Sequence, residues 1–493
     1  MDLLLGAPQS GVNAYVTGTR GYRRTEYAGF AQDTWKLTPE LTLTLGLRYE
    51  IFAAYPWKEV GKRLSTFLPD RGNVFVVGSP ELPQESGTDT DHNNFGPRVG
   101  LAYKFGKRAV ARAAYGVFYS SEAIPATSLG GSNPPFVGSV TFNNNQFDFT
   151  GARRIAQGFD RPPGLVFSAI GAQIQAVDPH LRTPYAQQWN AGVQYNLPGD
   201  VLLAVNYVGT TGKKLVLDPN LNQARPGAAA VATRRPWPLF ADISWIESSG
   251  FSIYNSLQVS AERRMARGLN FQAAYTWAHA IDNGGFIGGR QNYFDLKSER
   301  GNADIDMRHR LAVSSLYELP VGRGRRFLNG APRAVDLALG GWQINGISSF
   351  YAGLPFSPGS AVNTLNGSGG QRPDRIADGA LDRGSRSIRR WFDTSAFRTP
   401  GPFLFGNSGR YILFGPGTVQ FDASLFKSFY ITENRARRVE FRAEFFNIGN
   451  SPHFNNPNSS IGSTDAGRIS AAGSKTTFQR TERQIQFALK LYF

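Results

Sequence analysis

The last eleven residues, RQIQFALKLYF, constrain the fold of this chain more than any other stretch. Large apolar side chains occupy every second position up to the final residue, and they are Ile485, Phe487, Leu489, Leu491 and Phe493. A period of two puts alternate side chains on opposite faces of a β-strand. The segment therefore predicts a terminal strand with one strongly apolar face and a free end that is itself a large aromatic residue.

Two kinds of fold accommodate such a strand. A soluble β-sandwich would bury the apolar face in its core. A membrane β-barrel would turn that face toward lipid and the other face toward a polar lumen, with aromatic residues where the strands leave the bilayer. The terminal segment alone leaves both alternatives open.

Composition excludes several other classes. A transmembrane helix needs about 18 or more apolar residues in succession, and no run in this chain approaches that length. The 55 glycines and the 13% aromatic content suit many strands joined by turns and loops. The chain has no cysteine, which excludes disulfide scaffolds, thiol catalysis and cysteine-ligated metal sites. No shift in composition marks a boundary, so we expect a single β-barrel domain over residues 1–493.

The formal net charge of +16 raises the question of a nucleic-acid partner. The arginines, however, are spread along the whole chain, and their small clusters fall in short connections between strand patterns. These clusters are Arg323, Arg325 and Arg326, and Arg435, Arg437 and Arg438. We therefore predict solvated turns and no nucleic-acid partner. In an outer membrane, basic loops would also suit the phosphates of lipopolysaccharide.

The cleanest alternation in the chain is LTLTLGLRYEI. Its apolar face consists of Leu41, Leu43, Leu45, Leu47, Tyr49 and Ile51. The opposite face carries Arg48 and Glu50, which suit a wet interior better than the core of a sandwich. This segment favours the barrel.

Connections between the strand patterns alternate in length. LTPE, GKR, LPGD and RRMARG are short, whereas the links over 52–94, 120–184, 209–254, 278–310, 351–417 and 447–477 are long. Outer-membrane barrels have short periplasmic turns and long extracellular loops. Several structureless loops of this length argue against a compact soluble domain. The predicted fold is all-β: an antiparallel up-and-down transmembrane β-barrel of the outer-membrane type.

Strand parity predicts that this barrel is incomplete. We recognise about 13–14 strands, whereas plugged transporters have about 22. The strand that begins near Tyr27 and the last strand, over 478–493, both run toward the short turns, so they cannot pair as antiparallel neighbours. We expect an open or gapped sheet, patched by residues 11–24. The opening MDLLLGA also lacks the basic and apolar regions of a secretory signal.

Nine segments together resemble the barrel of Oar-like TonB-dependent receptors, and the resemblance covers essentially the whole chain. They are YAGFAQDTWKLTPELTLTLGLRYE, DHNNFGPRVGLAY, RAAYGVFY, TPYAQQWNAGVQY, AYTWAHAIDN, DMRHRLAVSSLYELP, GWQINGISSFYAGLPF, RAEFFNIGNSPHFNNP and the terminal RQIQFALKLYF. The resemblance implies energy-coupled uptake across the outer membrane. Family members also carry an export signal, a lumenal plug and earlier strands, none of which is visible here. The resemblance therefore implies a barrel domain that is truncated at its N-terminus.

The same resemblance implies the partners and the location. The protein would lie in the cell outer membrane, in contact with lipid and lipopolysaccharide, and would reach the TonB complex through a plug that is not in this chain. The alternating residues from Ile485 to Phe493 resemble the C-terminal signal that is read by the barrel-assembly machinery. No cofactor is implied.

No catalytic or metal-binding pattern stands out. The five histidines are scattered and none forms HExxH. The polar run from Asp89 to Asn94 lacks the glycine and glutamate of a calcium loop, so we interpret it as a loop that enters a strand. Gly367, Gly369 and Gly370 indicate loop flexibility rather than a phosphate loop. The cluster Asp304, Asp306, Arg308, His309 and Arg310 indicates a salt-bridged strand entrance.

Three classes of function remain. The favoured class is an energy-coupled receptor, the second is a structural or adhesive barrel that binds a partner through its loops, and the third is an outer-membrane enzyme. A plug upstream would distinguish the first class from the second, and the third would need a convergent catalytic set that the sequence does not display. We predict no enzyme activity. Ligand contact is expected chiefly on the loops 120–184 and 351–417, which are the longest, although loop sequences do not identify the ligand.

The barrel prediction fixes which side chains face lipid. We expect the following residues to face outward: Leu41, Leu43, Leu45, Phe271, Tyr275, Phe441, Leu489 and Leu491. We expect the following to face inward: Thr42, Arg48, Gln272, Glu440, Arg442, Glu444 and Lys490.

Overall fold

The computed structural model describes residues 6, 8–120, 133–144, 153–159, 168–284, 290–430, 437–473 and 482–493. Most of the opening segment 1–7 lies outside the described residues, as do Arg435 and positions 478–481 of the predicted last strand. In chain order the strands are β1 (Ser10–Val16), β2 (Tyr22–Lys36), β3 (Leu41–Glu59), β4 (Ser65–Leu68), β5 (Asn73–Val76), β6 (Asn94–Phe105), β7 (Ala109–Tyr119), β8 (Val137–Asn143), β9 (Ile174–Val177), β10 (Tyr185–Leu197), β11 (Val201–Leu217), β12 (Ile243–Ala266), β13 (Leu269–Asp282), β14 (Gly301–Asn302), β15 (His309–Glu318), β16 (Trp342–Tyr351), β17 (Pro355–Phe356), β18 (Gly359–Ser360), β19 (Asp374–Arg375), β20 (Phe397–Arg398), β21 (Leu413–Phe414), β22 (Thr418–Tyr430), β23 (Arg438–Phe446), β24 (Ser460–Ile461) and β25 (Gln484–Tyr492).

Helices are few and short. The described residues contain one α-helix, α1 (Arg333–Leu339), and five 3₁₀ turns at Ile155–Gln157, Val231–Arg234, Leu296–Glu299, Arg383–Ser385 and Thr394–Ala396. None of these helical segments has the length and the apolar character that crossing a membrane requires.

One antiparallel path joins the long strands into a single sheet. Its order is β2, β3, β6, β7, β10, β11, β12, β13, β15, β16, β22, β23 and β25, so each strand pairs with the next long strand in the chain. This meander of thirteen strands confirms the predicted up-and-down topology. Turn chemistry fits the strand reversals, because Gly199 and Asp200 in the LPGD turn have φ of 86° and 60°.

The register confirms the predicted facing of the side chains. Directly opposite residues on paired strands lie on the same face. From Leu489 the register leads to Phe441, then to Lys427, and onward across the sheet. All eight residues predicted to face outward lie on this face, and all seven predicted to face inward lie on the other.

At the last two strands of the meander, β23 and β25, exposure differs between an apolar residue of one face and a polar residue of the other. On the apolar face, Leu489 is 72% exposed, whereas Glu440 on the polar face is 7% exposed. Side chains on a concave face crowd one another, so the polar face is the inner one. Ion pairs form there, with 2.6 Å between Arg442 and Glu440 and 3.0 Å between Arg48 and Glu50.

The sheet is open at both ends. Among the described residues, β2 pairs only with β3, and β25 pairs only with β23. The predicted patch is wrong: Ser10–Val16 pairs with Val137–Asn143 in a separate two-stranded sheet, and Tyr22–Lys36 is itself the first strand of the meander. The alternating burial of Ser10–Val16 is the pattern of a strand in this small sheet.

The described parts of the long connections are folded, in contrast to the expectation of structureless loops. They contain β4 and β5, which pair with each other, β9, which pairs with β12, and the small pairs β17 with β21, β18 with β24 and β19 with β20. Four buried apolar clusters lie mainly in these connections, around Phe52, Phe67, Phe392 and Leu64. The apolar core of the described residues is therefore at one end of the sheet, not inside its curve.

Candidate functional site

All six long connections lie at the same end of the sheet. We call the segments 60–93, 120–184, 218–242, 283–308, 352–417 and 447–483 the loop layer. The opposite end, which carries the connections 37–40, 106–108, 198–200 and 267–268, is the short-turn rim. In outer-membrane barrels the long loops face outward and the short turns face the periplasm.

A buried ion pair joins two segments of the loop layer. The Arg372 guanidinium donates to both carboxylate oxygens of Glu299, over 2.8 and 3.2 Å. It also donates through Nε to the backbone oxygen of Ser408, over 2.8 Å. Glu299 accepts a further bond, over 3.1 Å, from the backbone N–H of Gln291. Bidentate geometry with these extra bonds compensates for the removal of both charges from water.

Buried amide side chains extend this contact to a third segment. Gln223 donates through Nε2 to the backbone oxygens of Gln291 and Ser368, over 3.0 and 2.8 Å. Its Oε1 accepts, over 2.7 Å, from the backbone N–H of Tyr293. We call Gln223, Gln291, Glu299 and Arg372 the interloop network. The network therefore holds three connections of the loop layer, 218–242, 283–308 and 352–417, against one another.

Further charges lie beside the interloop network. Arg290 contacts Glu247 over 3.0 Å, and Arg410 contacts Asp282 over 2.9 Å. Burial raises the pKa of the nearby Asp218 to about 6, although its own backbone hydrogen bond and the charge of Arg290 act in the opposite direction. The folded loop layer therefore stabilises the protonated form of Asp218 relative to the unfolded chain, although the carboxylate still predominates at neutral pH.

A cavity of about 630 Å³ lies between the loop layer and the sheet. Its lining comes from three connections and from the ends of two strands: Asp304, Met307, Tyr351, Ala352, Leu354, Pro355, Phe356, Ser357, Tyr411, Pro416, Thr418, Phe454, Asn455, Asn456 and Ser459. Tyr351 and Thr418 are paired with each other on the inner face of β16 and β22. The cavity therefore lies at the mouth of the lumen on the loop-layer side.

The cavity lining combines aromatic rings with hydrogen-bonding groups. Asp304 provides a carboxylate, and Asn455 and Asn456 provide amides that both donate and accept. Burial raises the pKa of the Tyr411 hydroxyl, and the charge of Asp304 adds to this effect while Arg410 opposes it. The hydroxyl thus remains a neutral donor. Such a lining suits a ligand with both apolar and polar groups.

The structure also shows the environment of the other segments that the sequence analysis considered as possible sites. Asp91 accepts from the backbone N–H of Thr183 over 3.1 Å, so the polar run before β6 joins two connections. Arg308 contacts Asp306 over 2.7 Å just before β15 begins, which confirms the salt-bridged strand entrance. Gly369 has a φ of 103° in the long connection before β22. Within the described ranges, no three His, Asp or Glu residues come together as a metal site would require.

Ligand contact was predicted on the loops 120–184 and 351–417. The second loop provides much of the cavity lining, including Phe356 and Tyr411. Among its described residues, the first contributes β9 to the sheet and does not line this cavity. The residues near Asp304 and Asn456 were missed as lining, because only the folded loop layer brings their segments together.

The predicted assembly signal lies on the last strand of the meander. Ile485, Phe487, Leu489 and Leu491 are exposed on the outward face of β25, and Phe493 is 93% exposed at the short-turn rim. They form a continuous apolar edge. Their recognition by the assembly machinery stays a prediction.

Replacing Phe493 with Asp is expected to lower the amount of folded protein in the outer membrane several-fold, because a charge would interrupt this apolar edge. The measurement is the folded fraction by heat-modifiable gel mobility in membrane extracts. Phe403→Asp, an exposed phenylalanine of the loop layer, is the control. Normal surface levels of the Phe493 variant would contradict the prediction.

Comparison with protein families identifies the class of protein to which this chain belongs. A family described as "Outer membrane beta barrel domain" matches residues 1–486. The chain belongs to this family. The predicted outer-membrane barrel and its location in the outer membrane of a Gram-negative type envelope are thereby confirmed. The apolar face of the sheet is the lipid-facing face, and its polar face lines the lumen.

Solved structures of receptors resemble this outer-membrane barrel domain at low identity. The ferric-catecholate import receptor Fiu from E. coli K12 is 12% identical, with a TM-score of 0.43, over 96% of this chain and 45% of that one. The siderophore receptor PiuA from Acinetobacter baumannii is 10% identical, with a TM-score of 0.46, over 96% and 43%. The chain thus spans less than half the length of these structures. A comparison with curated proteins finds no match.

Proposed function

We propose that this barrel domain forms the wall and the ligand-facing surface of a TonB-dependent receptor. Such a receptor imports its ligand across the outer membrane. We also propose that the barrel domain has no enzyme activity. The observation that carries the proposal is the cavity at the mouth of the lumen. Its volume of about 630 Å³ lies within the range of small-molecule sites. A site that binds the ligand before the ligand passes through the barrel suits a receptor for a scarce ligand better than a pore for free diffusion. The resemblance to Oar-like receptors supports the energy coupling.

The location of the cavity relates binding to transport. Tyr351 and Thr418 belong to barrel strands, whereas Asp304 and Asn456 belong to the loop layer. A ligand that contacts both would bridge the loops and the wall of the lumen. The interloop network would keep two of the three lining connections, 283–308 and 352–417, in a fixed geometry, which lowers the entropic cost of binding.

Uptake by whole cells tests this proposal. A strain that expresses the natural protein and strains that lack it, or lack TonB, would be grown in the same complex medium. Depletion of medium compounds would be followed by mass spectrometry. We expect at least one compound whose depletion requires both proteins. If no compound does, while the barrel is folded and surface-exposed, the chain is instead a structural or adhesive barrel that binds a partner through its loops.

Asp304→Asn should slow uptake of that compound by about tenfold, because a hydrogen bond to a charged group contributes about 1.5–3 kcal/mol. The initial rate of uptake at low ligand concentration measures this effect. The control is Asp378→Asn, which changes an acidic residue of the same layer whose side chain is 78% exposed. Equal rates in the two variants would show that the cavity does not bind the ligand.

A further inference from the structure

The connection 319–341 is longer than the other described connections at the short-turn rim. It joins β15 to β16 and contains α1, whereas neighbouring turns such as 198–200 and 267–268 consist of a few residues. We call it the rim element. Because the short-turn rim borders the membrane, the side of the wall on which the rim element lies decides what it contacts.

Two contacts place the rim element on the lipid side of the wall. Trp342 and Lys427 are paired in register, and both lie on the outward face. The Trp342 indole N–H donates to the backbone oxygen of Ala338 over 3.0 Å, and the Lys427 ammonium donates to the backbone oxygen of Gly340. The C-terminal end of α1 is therefore fixed over the outer surface of the barrel, not over the lumen.

The rim element carries large apolar side chains that the protein itself leaves uncovered. They are Phe327, Leu328, Val335, Leu337 and Leu339, and Leu339 is 51% exposed. Ile344 and Tyr317, which are paired with each other on the adjacent outward face, are also exposed. The apolar surface of the rim element is thus continuous with the lipid-facing surface of the barrel.

The same element is strongly basic. It holds four arginines and one acidic residue, Asp336. Arg325 pairs with Glu318 over 2.9 Å, and an Asp336 oxygen accepts from the backbone N–H of Arg323. The side chains of Arg323, Arg326 and Arg333 form no ion pair with any described residue. Exposed arginines beside exposed apolar residues are typical of segments that lie in the interface of an anionic membrane.

We propose that the rim element binds the anionic phospholipid headgroups of the leaflet that faces the short turns. Its apolar side chains enter the acyl region beside the barrel, and its unpaired arginines contact the phosphates. Continuity with the lipid-facing surface and complementary charge favour lipid over a second protein. This proposal depends on the outer-membrane location and not on ligand uptake. A result that contradicts the proposed uptake would therefore leave the lipid proposal unaffected, and the reverse also holds.

Depth is tested first. The chain has no cysteine, so Leu337→Cys gives a unique site for a fluorescent label in the full chain, reconstituted in nanodiscs that contain phosphatidylglycerol. We expect quenching by nitroxide-bearing lipids and protection from iodide in water. Leu404→Cys, at an exposed leucine of the loop layer, is the control and should show the reverse. The proposal is overturned if iodide quenches the label at position 337 as strongly as the label at position 404. It is also overturned if the label at position 337 is protected only at high protein concentration, because that result would indicate self-association.

Charge is tested by lipid retention. Native mass spectrometry would measure how much phosphatidylglycerol and how much phosphatidylcholine stay bound to the protein. The wild type would be compared with one triple variant that carries Arg323→Gln, Arg326→Gln and Arg333→Gln. We expect the preference for the anionic lipid to fall by about tenfold, since each basic residue near a membrane surface adds to the attraction. The matched control removes three exposed loop-layer arginines, Arg300, Arg383 and Arg389, and should keep the preference. Equal preference in both variants overturns the proposal.

Discussion

Arg372→Met is expected to lower the free energy of opening of the loop layer by about 3–5 kcal/mol, which is the usual cost of leaving one member of a buried ion pair without its partner. Glu299 is 1% exposed, so its carboxylate would remain out of contact with water. The N–H of Gln291 would still donate to it but would not neutralise it. Hydrogen exchange of residues 290–299 and 366–375 measures the opening. Heat-modifiable gel mobility reports separately on the strands and should not change.

Two variants distinguish this effect from a general loss of packing. Arg398→Met removes a partner from a pair with Asp374 that spans 3.6 Å, and the Arg398 side chain is 68% exposed. Exposed pairs contribute about 0–1 kcal/mol, so little change is expected. Replacing both Glu299 and Arg372 with Met should recover most of the loss, because no charge then remains buried. Equal exchange in the Arg372 and Arg398 single variants would show that the interloop network does not hold its three connections together.

The strands of this barrel were predictable because their information is local. In Leu41 to Ile51, each residue's face follows from its position in the alternation, and the turn after Lys36 then fixes the register with β2. Lipid on one side and water on the other make each wrong placement costly. A meander needs only this local information, since every strand pairs with the next long strand.

The loop layer was not predictable for the opposite reason. Glu299 and Arg372 are 73 positions apart, and neither segment has periodic apolar residues. Their pairing depends on where four strands place the ends of their connections. The cavity has the same origin, since Asp304 and Asn456 come to line one cavity only in the folded layer. Long-range contacts of this kind leave no pattern in a single sequence.

The rim element was predictable from the sequence only in part. Its sequence holds a usable helix signal: Pro332 precedes the stretch RAVDLAL, and Gly340 and Gly341 follow it. Proline at a helix start and glycine after its end are favoured, so α1 could have been inferred. That α1 lies on the lipid side could not, because it depends on bonds from Trp342 and Lys427, which the barrel register brings together.

The second large effect concerns the two faces of one strand. Ala273→Arg should destabilise the barrel by about 2–4 kcal/mol, whereas Ala274→Arg should have an effect near zero, because arginine is costly only where it faces lipid near the middle of the bilayer. Ala273 pairs with Ala261 and Val313 on the outward face, and Ala274 pairs with Ser260 and Ala312 on the inner face. The two positions share strand, depth and original residue. The comparison therefore isolates the environment that each face meets.

Urea unfolding from lipid vesicles, followed by heat-modifiable gel mobility, measures this difference. A loss confined to the Ala273 variant would support the assignment of lipid to the face that carries Leu489 and Phe441. A larger loss for the Ala274 variant would reverse the assignment, and equal losses would mean that the two faces do not differ in their contact with hydrocarbon at this depth. In both cases the rim element would also need another explanation, because its place beside lipid depends on Trp342 lying on the same face as Ala273.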